Sequence, residues 1–262
     1  MSRMAIFANS VALVACILMS PLASAEVQDN PLYRAQVIVT GDREETRIPM
    51  IPEGFQRAAE KLTGNPDIAG NPNFASVASK ASSFLWSYTY HDRMFGRPIH
   101  DEQGTRDRPF DLILQFDQKL MDAALAKLGE RAWLSKRPTL GLIVSVTDMA
   151  NTYVLASDGL HGEDQRASFA DAAARFAIPI RFPAQAGISQ PPDIENLKSA
   201  MHVDDILEGS LAWDAKALGW KGRWHLATGA QNDAWEITGV NFDAAFRNAM
   251  GGAAKRLRPV AP

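Results

Sequence analysis

Residues 206–240 read ILEGSLAWDAKALGWKGRWHLATGAQNDAWEITGV, and the apolar residues in them recur with a period of two. Leu207, Leu211, Trp213, Trp220, Trp224, Leu226, Trp235 and Ile237 fall on one face of three closely following strands, near 206–213, 220–227 and 234–240. Glu208, Lys221, Arg223, His225 and Glu236 fall on the other. Strict alternation with Lys221, Arg223 and His225 favours a core for the four tryptophans over an aromatic platform for a sugar or peptide. The charged face then reads as solvated, its signs cancelling in cross-strand pairs. So apolar a face needs a covering layer. Phe242, Ala245, Phe246, Ala249, Met250, Ala253 and Leu257 form one helical stripe that supplies it. Gly251-Gly252 inside that helix costs about 1 kcal/mol per glycine relative to alanine, which predicts a kink or the close approach of a strand.

Upstream of the meander, Leu140 to Val146 is a nearly continuous apolar run, the mark of a strand covered on both faces. A helix around Phe169, Ala172, Ala173 and Phe176 leads to Ile178-Ile180-Phe182, a parallel neighbour through a right-handed crossover. Residues 183–192 read as a loop. In the first half, Tyr33-Ala35-Val37-Val39 alternates as a strand, and Phe55, Ala58, Ala59 and Leu62 make a helix ended by Gly64. A second helix carries Phe74, Val77, Ala78 and Ala81; Phe84-Trp86-Tyr88-Tyr90 and Phe110-Leu112-Leu114-Phe116 are strands. Asp117 caps a further helix that ends at Gly129. The fold class is α+β, with two small α/β-sandwich-like units. The first runs strand-helix-helix-strand-strand-helix; the second is a mixed sheet whose tryptophan-rich meander the C-terminal helix covers. The expected boundaries are 1–25, 26–134 and 135–262.

Residues 1–25 carry one charge, Arg3, then an apolar stretch from Ala5 to Leu18, Pro21 and Ala23-Ser24-Ala25. That is a secretory signal peptide of the Sec type, since no Arg-Arg pair is present, and it predicts a periplasmic protein. Leu13-Val14-Ala15-Cys16 resembles a bacterial lipobox, so a lipid anchor at Cys16 is the alternative; Ile17-Leu18-Met19 extend the apolar region past it and favour the soluble form. No transmembrane segment is expected after leader removal. Cys16 is the single cysteine, so a processed chain has no disulfide, thiol nucleophile or cysteine metal ligand. With 27 Lys and Arg against 30 Asp and Glu, the charge of −3 suggests no nucleic acid partner.

No G-x-S-x-G elbow, P-loop, G-x-G-x-x-G or H-E-x-x-H is present. The segment densest in chemistry joins two strands, from His91 to Pro109, far longer than the 2–5 residues of an ordinary hairpin. Its His91, Asp92, Arg93, His100, Asp101, Glu102, Arg106, Asp107 and Arg108 are the candidate binding residues. His91, His100, Asp101 and Glu102 have the atoms for a divalent metal or a general base with its orienting carboxylate. Without a recognised ligand spacing, the favoured reading is a loop whose Arg-carboxylate pairs fix its shape or mark a partner surface; no metal and no cofactor is expected. Asp158, Gln165 and Arg166 are secondary candidates, in a segment whose acids also suit capping and the dipole of the helix that follows.

Leu32-Tyr33-Arg34-Ala35-Gln36-Val37-Ile38-Val39-Thr40-Gly41, residues 98–109, Val154-Leu155-Ala156-Ser157-Asp158 and Gly239-Val240-Asn241-Phe242-Asp243-Ala244-Ala245-Phe246 together resemble the proteobacterial envelope family catalogued as domain of unknown function 2066. The resemblance implies an envelope protein and carries no activity, cofactor or catalytic residue. In architecture alone, the Leu-x-Gly-Ser-Leu strand, meander and closing helix are similar to the small α/β domains of periplasmic accessory proteins, such as the lipoprotein activators of penicillin-binding proteins. The functional expectation is a non-catalytic periplasmic accessory protein that binds another envelope component. The alternative is a metal-dependent or acid-base hydrolase centred on residues 91–109.

Overall fold

The computed structural model describes residues 29–96, 107–149, 151–188, 193–228 and 231–259. The leader, Cys16, His100, Asp101, Glu102 and Arg106 lie outside the described residues. Among the described residues, no helix is long and apolar enough to cross a membrane.

The chain is α+β, as expected. Strands β1 (Arg34–Thr40), β2 (Leu85–Asp92) and β3 (Pro109–Phe116) form an antiparallel sheet in the order β1-β3-β2. Ahead of β2 come helices α1 (Glu44–Arg47), α2 (Ile51–Thr63) and α3 (Phe74–Ala78); α4 (Gln118–Lys127) follows β3. Each element forms for a local reason. Ala35, Val37 and Val39 alternate inward on β1. Gly64 ends α2 in the left-handed region and donates its N–H to Glu60 O. The Asp117 carboxylate accepts from Leu120 N at the start of α4. Phe55 of α2 then anchors the core, its ring 5.7 Å from Phe74, 5.8 Å from Phe84 and 6.3 Å from Phe116. One expectation fails on β2. The alternation of Phe84, Trp86, Tyr88 and Tyr90 is broken by a bulge between Leu85 and Ser87, which turns Trp86 out to 62% exposure.

The second half holds β4 (Leu140–Thr147), β5 (Thr152–Val154), α5 (Glu163–Arg175), β6 (Ile180–Arg181), α6 (Ile194–Met201), β7 (Asp205–Asp214), β8 (Gly219–Thr228), β9 (Gln231–Val240) and α7 (Phe242–Leu257). The sheet order is β5-β4-β7-β8-β9, with β6 also on β4; β4 pairs parallel with β6 and β7, and the other pairings are antiparallel. Leu142, Val144 and Val146 of β4 pack with α5 and α7, whereas Ile143 packs with Leu197 and Met201 of α6. That two-sided burial is why β4 reads as a continuous apolar run. Helix α6 falls where the sequence reading placed no element. Its signal is short: Asp193 accepts from Asn196 N as the cap, and Ile194, Leu197 and Met201 share one face.

The meander does build a core. The Trp224 indole lies across the backbone of its own sheet, and its ring atoms are 2.5 Å from where a Cβ on Gly209 would stand and 2.8 Å from where one on Gly222 would. Phe169 and Phe246 close over it, with ring centroids at 6.0 and 6.2 Å. The glycine pair in α7 has a similar cause. A Cβ on Gly252 would meet the Trp235 indole at 2.4 Å, so the glycine admits the close approach of β9.

The two halves meet through charge. Arg175 Nε lies 2.5 Å from Glu60 Oε2, Lys255 Nζ 2.8 Å from Asp67 Oδ2, and Arg258 Nη1 3.0 Å from Glu130 Oε2. Arg137 donates to Lys61 O at 2.6 Å.

Candidate functional site

The roots of the long loop are tied down by ion pairs. Asp92 accepts from Met94 N at 2.8 Å and from Arg108 Nη1 at 2.7 Å. The Met94 N–H, with Arg108 behind it, holds this carboxyl below the usual carboxylate range against a smaller opposing effect of burial. Arg93 Nε stands 3.4 Å from Asp111 Oδ1, Arg43 Nη2 bonds Asp107 at 2.5 Å, and Gly41 N donates to Arg108 O at 2.8 Å. His91 is largely exposed, its Nδ1 3.9 Å from Asp111 Oδ2. Of the nine loop candidates, His91, Asp92, Arg93, Asp107 and Arg108 are thus placed at or beside the strand ends. Among the described residues, no three His, Cys, Asp or Glu side chains come together as a metal site.

The secondary candidates hold a turn. Asp158 Oδ1 accepts from Gln185 N at 2.7 Å, and Arg166 donates from Nη1 to His161 O at 2.6 Å and from Nη2 to Gly159 O at 3.3 Å. The expected side-chain cap on α5 is absent. Gly162 occupies the N-cap with φ +81°, and Glu163 and Asp164 serve the helix dipole instead. Gln165 is half-buried in the first turn and contributes no capping bond. Asp158 and His161 border a cavity of about 410 Å³ beside β5, where the His161 and Tyr153 rings are 5.4 Å apart.

The charged face of the meander is a ladder of pairs, as its alternation implies. Lys221 and Arg223 both reach Glu236, at 3.2 and 3.5 Å. His225 places Nδ1 3.1 Å from Glu208 Oε1 and Nε2 against Asn232 Oδ1. The Asn232 contact first, then Glu208, raises the His225 pKa above 6.5. A group whose pKa rises on folding adds stability that is complete below its unfolded value and is lost as pH climbs through the folded one. The His225 ring resonances should therefore titrate above 6.5, and Asn232→Ala should lower that midpoint. An NMR midpoint at or below 6.5 in the wild type would refute the arrangement.

Two surfaces remain that sequence periodicity does not announce. The first is the outward edge of β2. Arg93 N bonds Pro109 O, and two-residue alternation directs the backbone of His91, Thr89 and Ser87 to β3 and that of Tyr90 and Tyr88 outward. Tyr88 is 43% exposed with the Arg47 guanidinium 4.0 Å above its ring, and Trp86 stands beside it over a groove of about 340 Å³.

The second surface is a cleft of about 570 Å³ between the halves. Gln36 and Ile38 on the outward edge of β1 line it, with Arg57 and Lys61 from α2, Arg93 and Asp111 from the loop root, Ser168, Asp171 and Arg175 from α5, and Asp243 and Arg247 from α7. Lys61 Nζ donates to Arg34 O at 2.7 Å and Arg57 Nη1 to Gln36 O at 2.8 Å, so α2 closes part of that edge. Residues 26–134 match the family model described as Domain of unknown function (DUF8605). This corrects the resemblance to domain of unknown function 2066, which is a different family, and withdraws the proteobacterial envelope assignment drawn from it. The matched span covers β1 to β3 and α1 to α4, hence one wall of the cleft and the whole β2 edge. No curated protein matches the chain.

Apart from Arg93, already a candidate of the long loop, the cleft residues escaped the sequence reading because they lie on β1, α2, β3, α5 and α7, far apart in the chain. Lys61, Asp171 and Arg247 look like ordinary solvated positions of amphipathic helices. Trp86 was legible as an aromatic, but its exposure follows from the bulge.

Proposed function

We propose that this chain is a non-catalytic accessory protein of the cell envelope, exported by its leader, that engages another envelope protein by strand addition along β2. The observation that carries the reading is the contrast between the two edges of one sheet. On β1 the carbonyls of Arg34 and Gln36 are occupied by Lys61 and Arg57. Along β2 the outward backbone of Tyr88 and Tyr90 has no backbone partner among the described residues, and Trp86 and Tyr88 flank it. Natural sheets blunt exposed edges with charge, proline or a covering element, and an uncovered aromatic edge is the form that strand-adding complexes use. The partner is then an extended segment with apolar side chains at alternate positions.

A photo-crosslinking residue in place of Trp86 should give one discrete adduct in intact cells, and the same residue at Lys119 on α4 none. Trp86→Lys with Tyr88→Lys should abolish the partner's co-purification with the protein. The melting temperature should hardly move, because surface changes of this kind stay within about 0.5 kcal/mol. An adduct of two copies of this chain, or no adduct specific to position 86, would refute the proposed partner.

A further inference from the structure

Taking as given the strand addition along β2, on which this rests, we infer that the added segment carries a carboxylate opposite Tyr88, bound by Arg47, and apolar side chains at the flanking positions, against Trp86. Two observations carry it: the two faces of the β2 edge are unlike, and one cation beside that edge has no carboxylate partner among the described residues.

The faces follow from the register. Tyr88 and Tyr90 oppose the buried Leu114 and Leu112 and so stand on the core face of the sheet, whereas Ser87 and Thr89 oppose Gln115 and Ile113 on the other. Trp86, turned out by the bulge, borders the groove of about 340 Å³ that Ser87, Thr89, Ile113 and Gln115 line. Side chains of an added strand alternate in the same way. Those opposite Ser87 and Thr89 lie along the Trp86 indole, where apolar groups gain from burial. Those opposite Tyr88 and Tyr90 meet the face on which Arg47 stands.

The other arginines around this edge are already paired: Arg34 with Asp29, Arg43 with Asp107, Arg93 with Asp111 and Arg108 with Asp92. Arg47 is not. Glu44, one turn earlier on α1, acts on it through charge alone. The Arg47 guanidinium lies 4.0 Å from the centroid of the Tyr88 ring, and Nη1 donates to the Tyr90 hydroxyl at 3.3 Å. Among the described residues that is the one bond its five N–H donors make. Two neutral rings therefore hold the cation beside the unpaired backbone of Tyr88 and Tyr90 without neutralising it. In an antiparallel addition, the residue opposite Tyr88 places its Cβ about 5 Å from that of Tyr88, on this same face. An aspartate or glutamate there is within reach of the guanidinium, whose fork takes a carboxylate through two parallel N–H···O bonds. A basic side chain in that place meets a like charge, so Arg47 also selects against basic segments.

The probes are three pentapeptides capped at both ends, VEVEV, VTVTV and VKVKV, whose alternation is the same in either strand direction. Titrated into the full-length protein and followed by amide NMR, VEVEV should shift Tyr88 and Tyr90. It should bind about three- to fivefold more tightly than VTVTV, the range open to an exposed ion pair, and VKVKV should bind most weakly. Arg47→Met should make VEVEV and VTVTV bind alike, and Arg47→Glu should place VKVKV above VEVEV. Equal binding of VEVEV and VTVTV to the wild type, or an unchanged order with Arg47→Glu, would overturn the inference and leave strand addition standing. No shift at Tyr88 and Tyr90 with any of the three would overturn strand addition itself, and the inference with it. Arg47→Met gives an answer even if Arg47→Glu does not fold.

Discussion

Gly209→Ala is expected to destabilise the fold by about 1–3 kcal/mol, although it adds only one methyl group. That methyl would sit 2.5 Å from Cε3 and Cζ3 of Trp224. The indole has nowhere to retreat, since it already lies over Gly222 of its own strand, and Phe169 and Phe246 hold it from the helix side. Removing the ring should cost more. Trp224→Ala leaves a cavity under α5 and α7 and is expected to lose about 3–5 kcal/mol. The two changes should not add, because once Trp224 is replaced by leucine the space over Gly209 is free. A thermal or denaturant double-mutant cycle should show Gly209→Ala nearly neutral in the Trp224→Leu background. Additive losses would mean that the glycine serves the backbone of β7 rather than the indole.

Arg175→Ala should be the most damaging change at the junction of the halves, at about 3–5 kcal/mol. It strands Glu60, which is 2% exposed and otherwise accepts from Gln56 Nε2 at 2.8 Å. A buried carboxylate without its cation carries its full desolvation cost. Glu60→Leu combined with Arg175→Met should recover most of that loss, since a buried pair replaced by packed apolar groups is often neutral. Chemical denaturation of the single and double variants measures this directly. A mild Arg175→Ala phenotype would show that water reaches Glu60 readily, and the two halves would then be held by packing and the outer pairs Lys255–Asp67 and Arg258–Glu130.

Most elements of this fold were legible because their signals are local. The period of two in Arg34–Thr40 and in the meander, the stripe of α7 and the Asp117 cap each depend on a few consecutive residues. Helix α6 was missed because eight residues between a proline-rich loop and a strand carry barely two turns of pattern. The bulge at Trp86 was missed because an extra residue in one strand is defined by its partner, β3, and alternation within β2 does not record it. The glycines lay between. The pair in α7 announced a kink or a close approach, but which ring each glycine admits, there and in the strands, is a matter of register between strands and helix.

What the sequence by itself determined is the composition of each face: which residues of β1, β4, β7, β8 and α7 turn inward, and that the charged face of the meander neutralises itself. Side-chain periodicity dictates those outcomes, since it is fixed by backbone geometry within each element. The tertiary structure decided the pairing. It bound Glu60 to Arg175, left Lys61 without a carboxylate partner among the described residues, and set the outward edge of β1 against two helices from the other half of the chain. Charge pairing across a cleft depends on distances between elements more than a hundred residues apart, and no local period encodes such a distance.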